Sequence, residues 1–221
     1  WWRTWKANLL FNAGGRLNYS NYGVELLSSD DNKIIKDRSI KLIDLNNKRK
    51  KIEEDILNEI NFKKIQRENK KVIIYYKNNI NEGLIGIIAS RLKDYFNKPS
   101  IVITKSKNIL KGSARSTPSY NIGYLIKSLL DNDIIKSGGG HNMAAGFTMK
   151  KGNMKILNKF IQNDYFKKMA HIKNLNNYDM ELSASALKTK FMNDINKLGP
   201  FGNLNSLPTF LIKNAKIVKY E

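Results

Sequence analysis

Ile122, Leu125, Ile126, Leu129 and Leu130 recur at i, i+3, i+4, i+7 and i+8, a period that predicts a helix laying one face on a core. A second helix is predicted over 82–97, where Leu84, Ile85, Ile88, Leu92 and Phe96 share a face and Pro99 ends the run. Val72 to Tyr76 reads as a buried strand closed by Asn78-Asn79, and Ile101-Val102-Ile103 as the next strand. Ile109-Leu110 leads into the stretch Gly112-Ser113-Ala114-Arg115-Ser116, read as a loop, and Gly146 to Met149 supplies a further strand. The predicted order is β-α-β-β-α-β, a compact α/β domain with a mixed sheet.

The flanks carry a different pattern. From Asp31 to about Asn69 there is no proline or glycine, and Ile40, Ile43, Ile52, Ile56 and Ile60 are spread among many charges. A long, sparsely apolar helix broken near Asn46-Asn47 is predicted, better suited to bridging domains than to forming a core. Beyond Lys150 a basic helix is predicted over roughly 153–169, with His171 as a surface residue at its end. Tyr178 to Leu182 reads as extended, and Leu187, Phe191, Ile195 and Leu198 mark one helix face before Gly199-Pro200. Thr209 to Val218 reads as a strand, and the start at Trp1, with three tryptophans and no methionine, reads as part of a longer chain.

Composition narrows the chemistry. A chain of 221 residues, 41% hydrophobic, can bury a core, and the lack of cysteine excludes disulfides, thiolate metal sites and a catalytic thiol. No apolar run is long enough to span a membrane, and a cytoplasmic location is the default expectation. The formal charge of +20 suits a polyanionic partner such as nucleic acid. Abundant Lys, Asn and Ile offer a second reading, compositional drift on solvated faces. The 2 histidines, His141 and His171, fall in different predicted elements, and Asp30-Asp31, Glu53-Glu54-Asp55 and Asp131/Asp133 read as turn or solvated helix residues. No two-metal centre is therefore predicted within this chain.

Candidate binding chemistry lies in three places. Ser113 and Ser116 flank the guanidinium fork of Arg115 in a glycine-led stretch that a phosphate can approach closely; a solvated loop is the plainer reading. Gly138-Gly139-Gly140-His141 follows the central helix and can present several backbone N–H groups to one anion, or be a tight turn that His141 caps. Asn12-Ala13-Gly14-Gly15-Arg16-Leu17 reads as a short loop that brings Arg16 to a ligand, or as a turn with a surface arginine. Arg91 reads as a surface arginine on the first helix of the domain.

GLIGIIASRL (83–92), GSARS (112–116) and GGGHNMAAGFT (138–148), in this order and spacing, resemble the DHH-associated domain of the DHH phosphoesterases, most closely the RecJ family of bacterial 5′→3′ single-strand-specific exonucleases. NAGGRL followed by YGVELL (22–27) resembles the close of the RecJ catalytic domain, and Pro200-Phe201-Gly202-Asn203 with Pro208-Thr209-Phe210 resembles the entry to its oligonucleotide-binding (OB) barrel. The family has Trp-His where this chain has Ile80-Asn81, which removes any imidazole role there.

The resemblance implies a truncated catalytic-domain end over 1–30, a linker helix over 31–69, a mixed-sheet α/β DHH-associated domain over 70–170, and the start of an incomplete OB-type β-barrel over 171–221. It implies single-stranded DNA as partner, with a backbone phosphate held by Ser113, Arg115 and Ser116, Gly138 to His141 closing over the reacting nucleotide, and Arg16 guiding the strand. It places two Mn²⁺ or Mg²⁺ ions in a catalytic domain outside this chain, so that the parent is an enzyme of DNA repair and recombination and this piece alone is inactive. The two glycine stretches also occur in DHH phosphodiesterases of short oligonucleotides or cyclic dinucleotides and in the C-terminal tRNA-binding module of alanyl-tRNA synthetase, which stay as alternatives. The flanking motifs favour the RecJ arrangement.

Overall fold

A computed structural model describes residues 12–169, 178–202 and 205–215. The opening tryptophans, His171, and the end of the predicted last strand lie outside these residues. The chain divides into two compact units, Trp2–Ile172 and Lys173–Glu221.

In the first unit a helical turn over 12–16 leads to α1 (Asn21–Ser28), α2 (Asn32–Glu59) and α3 (Phe62–Glu68). Then come β1 (Ile73–Tyr76), α4 (Ile85–Phe96), β2 (Ser100–Ser106), β3 (Ile109–Arg115), α5 (Ile122–Asp131), β4 (Ser137–Gly140), β5 (Ala144–Met149) and α6 (Met154–Met169). The sheet order is β1-β2-β3-β5-β4, with β1 and β2 parallel and all other pairings antiparallel. This is a mixed α/β sheet with helices on both faces. One core joins the sheet to α5 and α6 through Ile101, Ile103, Leu110, Phe147, Leu125, Leu129, Leu157 and Ile161. The other joins it to α2 and α4 through Ile73, Val102, Ile56, Ile85, Ile88 and Leu92.

The helices form where the apolar period places them. α5 fully buries Ile122, Leu125, Ile126 and Leu129, each contributing about 1.5–3 kcal/mol of burial free energy. Its N-terminus is capped by Asn121, whose Oδ1 accepts from Tyr124 N–H at 3.1 Å. α4 ends at Asn97, which takes the left-handed conformation two residues before Pro99.

Three expectations change. Gly112 to Arg115 is not a loop but the end of β3, paired on one side with β2 and on the other with β5. Gly138 to Gly140 is likewise not a loop but part of the edge strand β4, so the sheet has five strands where the apolar pattern marked four. The long helix does not break at Asn46-Asn47 but ends at Glu59 before α3, and it contributes to a core. Leu42, Leu45, Asn46, Arg49, Glu53 and Ile56 point inward, whereas Ile40, Ile43 and Ile52 are exposed. Glu53, read as a solvated helix residue, is buried because two arginines occupy its carboxylate.

In the second unit β6 (Met180–Glu181) pairs in parallel with β7 (Phe210–Leu211), and α7 (Thr189–Lys197) sets Phe191 against Phe210 with ring centroids 5.3 Å apart. No closed barrel forms among the described residues.

Candidate functional site

The first turn of α4 is the focus of the site. Asn81 shapes the entry: its side-chain oxygen accepts from Gly83 N–H at 2.8 Å and its carbonyl from Leu84 N–H at 2.9 Å. The N-cap residue Leu84 offers no side-chain cap, so the positive end of the helix dipole is left to solvent or a ligand. Ile80, beside Asn81, is buried, and its N–H and C=O both bond the Thr104 hydroxyl.

Two arginines meet this turn. Arg16 donates from Nη1 to Gly83 O at 2.8 Å. It ends the helical turn over 12–16 rather than a loop, because Gly14 O accepts from Leu17 and Tyr19 N–H and winds the segment up. Arg115 donates from Nη1 to Ala114 O at 2.8 Å and to Ser113 Oγ at 3.2 Å. Ser113 and Arg115 point to the same face of β3, as residues two apart in a strand must.

Space is tight on the helix side, against backbone at Gly83 and against movable side chains at Gly86. A Cβ at Gly83 would lie 2.4 Å from Arg16 O, and one at Gly86 would lie 2.8 Å from Arg115 Nη2 and 3.1 Å from Ser113 Oγ. A glycine in a helical first turn costs helix propensity, and here it allows the guanidinium to lie against the backbone.

The charge of this cluster is uncompensated. Among the described residues the arginine ion pairs involve Arg38, Arg49 and Arg91, and neither Arg16 nor Arg115 pairs with a carboxylate. Burial lowers the pKa of Arg115, and the positive field of Arg16 lowers it further. Burial lowers that of Arg16 too, with repulsion from Arg49 adding to it and Glu53 opposing it. Both stay charged at any physiological pH, so the half-buried pair at a helix N-terminus is electrostatically suited to an anion with several acceptor oxygens.

Ser116 does not join this cluster. It is buried, its hydroxyl donates to Tyr120 O at 2.5 Å and its N–H to Met143 O at 2.9 Å, so it fastens the turn after β3.

The glycine stretch lies at the same end of the sheet. Arg115 pairs with Ala144, and Ala144 O accepts from His141 N–H at 2.8 Å. Arg115 and His141 are thus two strand spacings apart, about 10 Å. The exposed His141 accepts at Nδ1 from Met143 N–H at 3.3 Å, within its own turn. Among the described residues β4 pairs with β5 alone, which makes it an edge strand with its other side open to pairing. Gly138 lacks room for a Cβ, which would stand 2.7 Å from Ile126 Cγ2. A cavity of about 380 Å³ opens between this edge and α5, lined by Tyr124, Lys127, Leu130, Gly138 to Gly140 and His141 among others.

Arg91 binds Glu53 from α4 and is not part of the cluster at the first turn. Sequence reasoning missed Asn81, Gly86 and Tyr124 as site residues. The signal for Gly86 was present, since a helix opening on GLIG spends stability for a close approach.

No three His, Asp or Glu side chains come together as a metal site among the described residues.

The family model of the DHHA1 domain matches residues 69–166, and that of the RecJ OB domain matches residues 178–221. Over 217 residues, 92% of this chain and 26% of the relative, the chain is 32% identical to the single-stranded-DNA-specific exonuclease RecJ of Bacillus subtilis. It is 32% identical over 148 residues to the RecJ of Haemophilus influenzae, covering 63% of this chain and 26% of that one. The crystal structure of Thermus thermophilus RecJ with Mn²⁺ superposes with a TM-score of 0.71 at 23% identity, over 92% of this chain and 30% of that one, a likeness of fold. The chain spans about a quarter of the length of the curated relatives it matches.

Proposed function

This chain belongs to the RecJ family, and from that premise we propose that it is the nucleic-acid-binding C-terminal portion of a 5′→3′ exonuclease specific for single-stranded DNA. In this reading residues 1–30 close the catalytic DHH domain, 31–69 link it to the DHH-associated domain at 70–170, and 171–221 open the OB domain. The parent is cytoplasmic and serves DNA repair and recombination. Among the described residues no helix is long and apolar enough to cross a membrane.

The observation that carries the proposal is the uncompensated Arg16–Arg115 pair at the uncapped start of α4. A phosphate near the 5′ end of the strand accepts from both guanidiniums, from Ser113 and from the free N–H groups of the helix. Ser116 supports this cradle through the turn it fastens and does not touch the phosphate. The Gly138 to His141 edge, at the same end of the sheet, takes the adjoining nucleotide. Mn²⁺ or Mg²⁺ in the parent's DHH domain supplies the hydrolytic chemistry, and this chain holds and orients the strand.

The test is anisotropy of a labelled single strand titrated with the full chain across salt. Arg115→Ala is expected to weaken binding by about 1.5–3 kcal/mol, the range for charge-assisted hydrogen bonds. Log K should fall with log salt by about 0.7 per phosphate contacted, and the variant's slope should drop by roughly that amount. Arg115→Lys restores it only in part, because an ammonium lacks the planar fork. With Mn²⁺ added, the chain binds the strand without shortening it. Unchanged affinity and slope in a folded Arg115→Ala chain would refute the assignment.

A further inference from the structure

We propose that the cavity between α5 and β4 is a nucleobase pocket in which Tyr124 is the stacking surface, a refinement that rests on the nucleic-acid reading above. The inward face of α5 is taken by Ile122, Leu125, Ile126 and Leu129, which leaves Tyr124 on its outer side with 65% of its surface exposed. The Tyr124 ring is not among the aromatic pairs of the described residues, and the neighbouring strand has glycine at Gly138, Gly139 and Gly140, so no side chain from β4 covers it. An unpaired aromatic ring beside a bare strand edge is a poor arrangement for stability and a good one for a planar guest.

The rest of the lining fits a base joined to phosphate. The open edge of β4 presents backbone N–H and C=O groups, which match the mixed donors and acceptors on the rim of a base and would be wasted on a hydrocarbon. Lys127, one turn along α5 from Tyr124, is the cation of the lining, and no carboxylate lines the cavity. About 380 Å³ accommodates one base with room to slide, and nothing in the lining selects a particular base. His141 shares this lining and sits about 10 Å from Arg115, so one strand can reach both places. Bases are therefore gripped here by their faces, while the arginine cluster grips the backbone.

Two strands of equal length separate these modes, one normal and one abasic throughout, each bound to the full chain at low salt. Tyr124→Ala is expected to weaken the normal strand about five- to tenfold, the lower part of what base–aromatic stacking contributes. Tyr124→Phe should stay within about twofold of the parent, because the ring and not the hydroxyl stacks. The abasic strand should bind the parent and Tyr124→Ala alike. Equal binding of the normal strand by the parent and Tyr124→Ala overturns the pocket, as does an equal loss on both strands. Arg115→Ala run alongside separates the two ideas. A loss with Arg115→Ala and none with Tyr124→Ala removes the base pocket alone, and no loss with either removes the nucleic-acid reading beneath it.

Discussion

Replacing Glu53 by glutamine should destabilise the first unit more than any surface charge would. Glu53 is buried in the middle of α2 and uses both oxygens: Oε2 accepts from Arg49 Nη1 at 2.7 Å, and Oε1 from Arg91 Nε at 2.7 Å. The side chains of Arg49 and Glu53 are 9% and 8% exposed, whereas that of Arg91 is 60% exposed. The two arms therefore differ in weight. Losing the Arg91 arm costs about 0–1 kcal/mol, as for a solvated pair. Losing the Arg49 arm leaves a guanidinium buried with only Asn46 Oδ1, at 3.2 Å, to bond it, and an uncompensated buried charge costs about 3–5 kcal/mol. Glutamine keeps one acceptor and turns an N–H₂ toward the other arginine, so a loss of about 3–4 kcal/mol is expected, a large share of the 5–15 kcal/mol typical of a domain. Urea denaturation of the full chain followed by far-ultraviolet circular dichroism measures it. The double variant Arg49→Met with Glu53→Leu should recover most of the loss, because it extends the apolar face of Leu42, Leu45 and Ile56. A single variant within about 1 kcal/mol of the parent, or a double variant as unstable as the single, would refute this account of the helix.

Gly86→Ala should weaken single-strand binding while the chain stays folded, since the added Cβ would displace the Arg115 guanidinium from 2.8 Å and the helix itself gains propensity; unchanged affinity in an anisotropy titration would show that the guanidinium need not lie there. Burial, with the 2.6 Å bond to Asp164, pushes the Tyr120 phenol well above the usual tyrosine range. The folded state then holds this proton after the unfolded chain has released it, so stability is full below about pH 10 and falls above it by at most about 1.4 kcal/mol per pH unit. Tyr120→Phe should flatten that alkaline decline and cost about 1.5–3 kcal/mol at neutral pH, read from urea midpoints at two pH values, and an unaltered slope would refute the assignment.

The apolar period alone determined α4 and α5 and most of their inward faces, because Leu84, Ile85, Ile88 and Leu92, like Ile122, Leu125, Ile126 and Leu129, have no other way to leave water, whereas Leu130, counted on the same face, is exposed. The motifs also singled out Arg16, Arg115 and the glycine stretch as candidates. The partners of these residues were decided by the tertiary structure. Gly112 to Arg115 and Gly138 to Gly140 have little strand propensity of their own, and they are strands because distant segments pair with them: β2 and β5 with the first, β5 with the second. The same holds for α2, where Ile40 and Ile43 of the sparse apolar pattern are exposed while Ile56 is buried. Its inward face mixes Leu42, Leu45 and Ile56 with the Arg49–Glu53 pair, which a hydrophobic pattern cannot register, and Arg91 on α4, across 38 residues of chain, supplies one of the two bonds to Glu53. Ser116 and Ser113 look alike in GSARS, yet Ser113 lies within β3 and borders the arginine cluster, whereas Ser116 falls just past the end of the strand and fastens the turn that follows, a difference that the strand pairing decides.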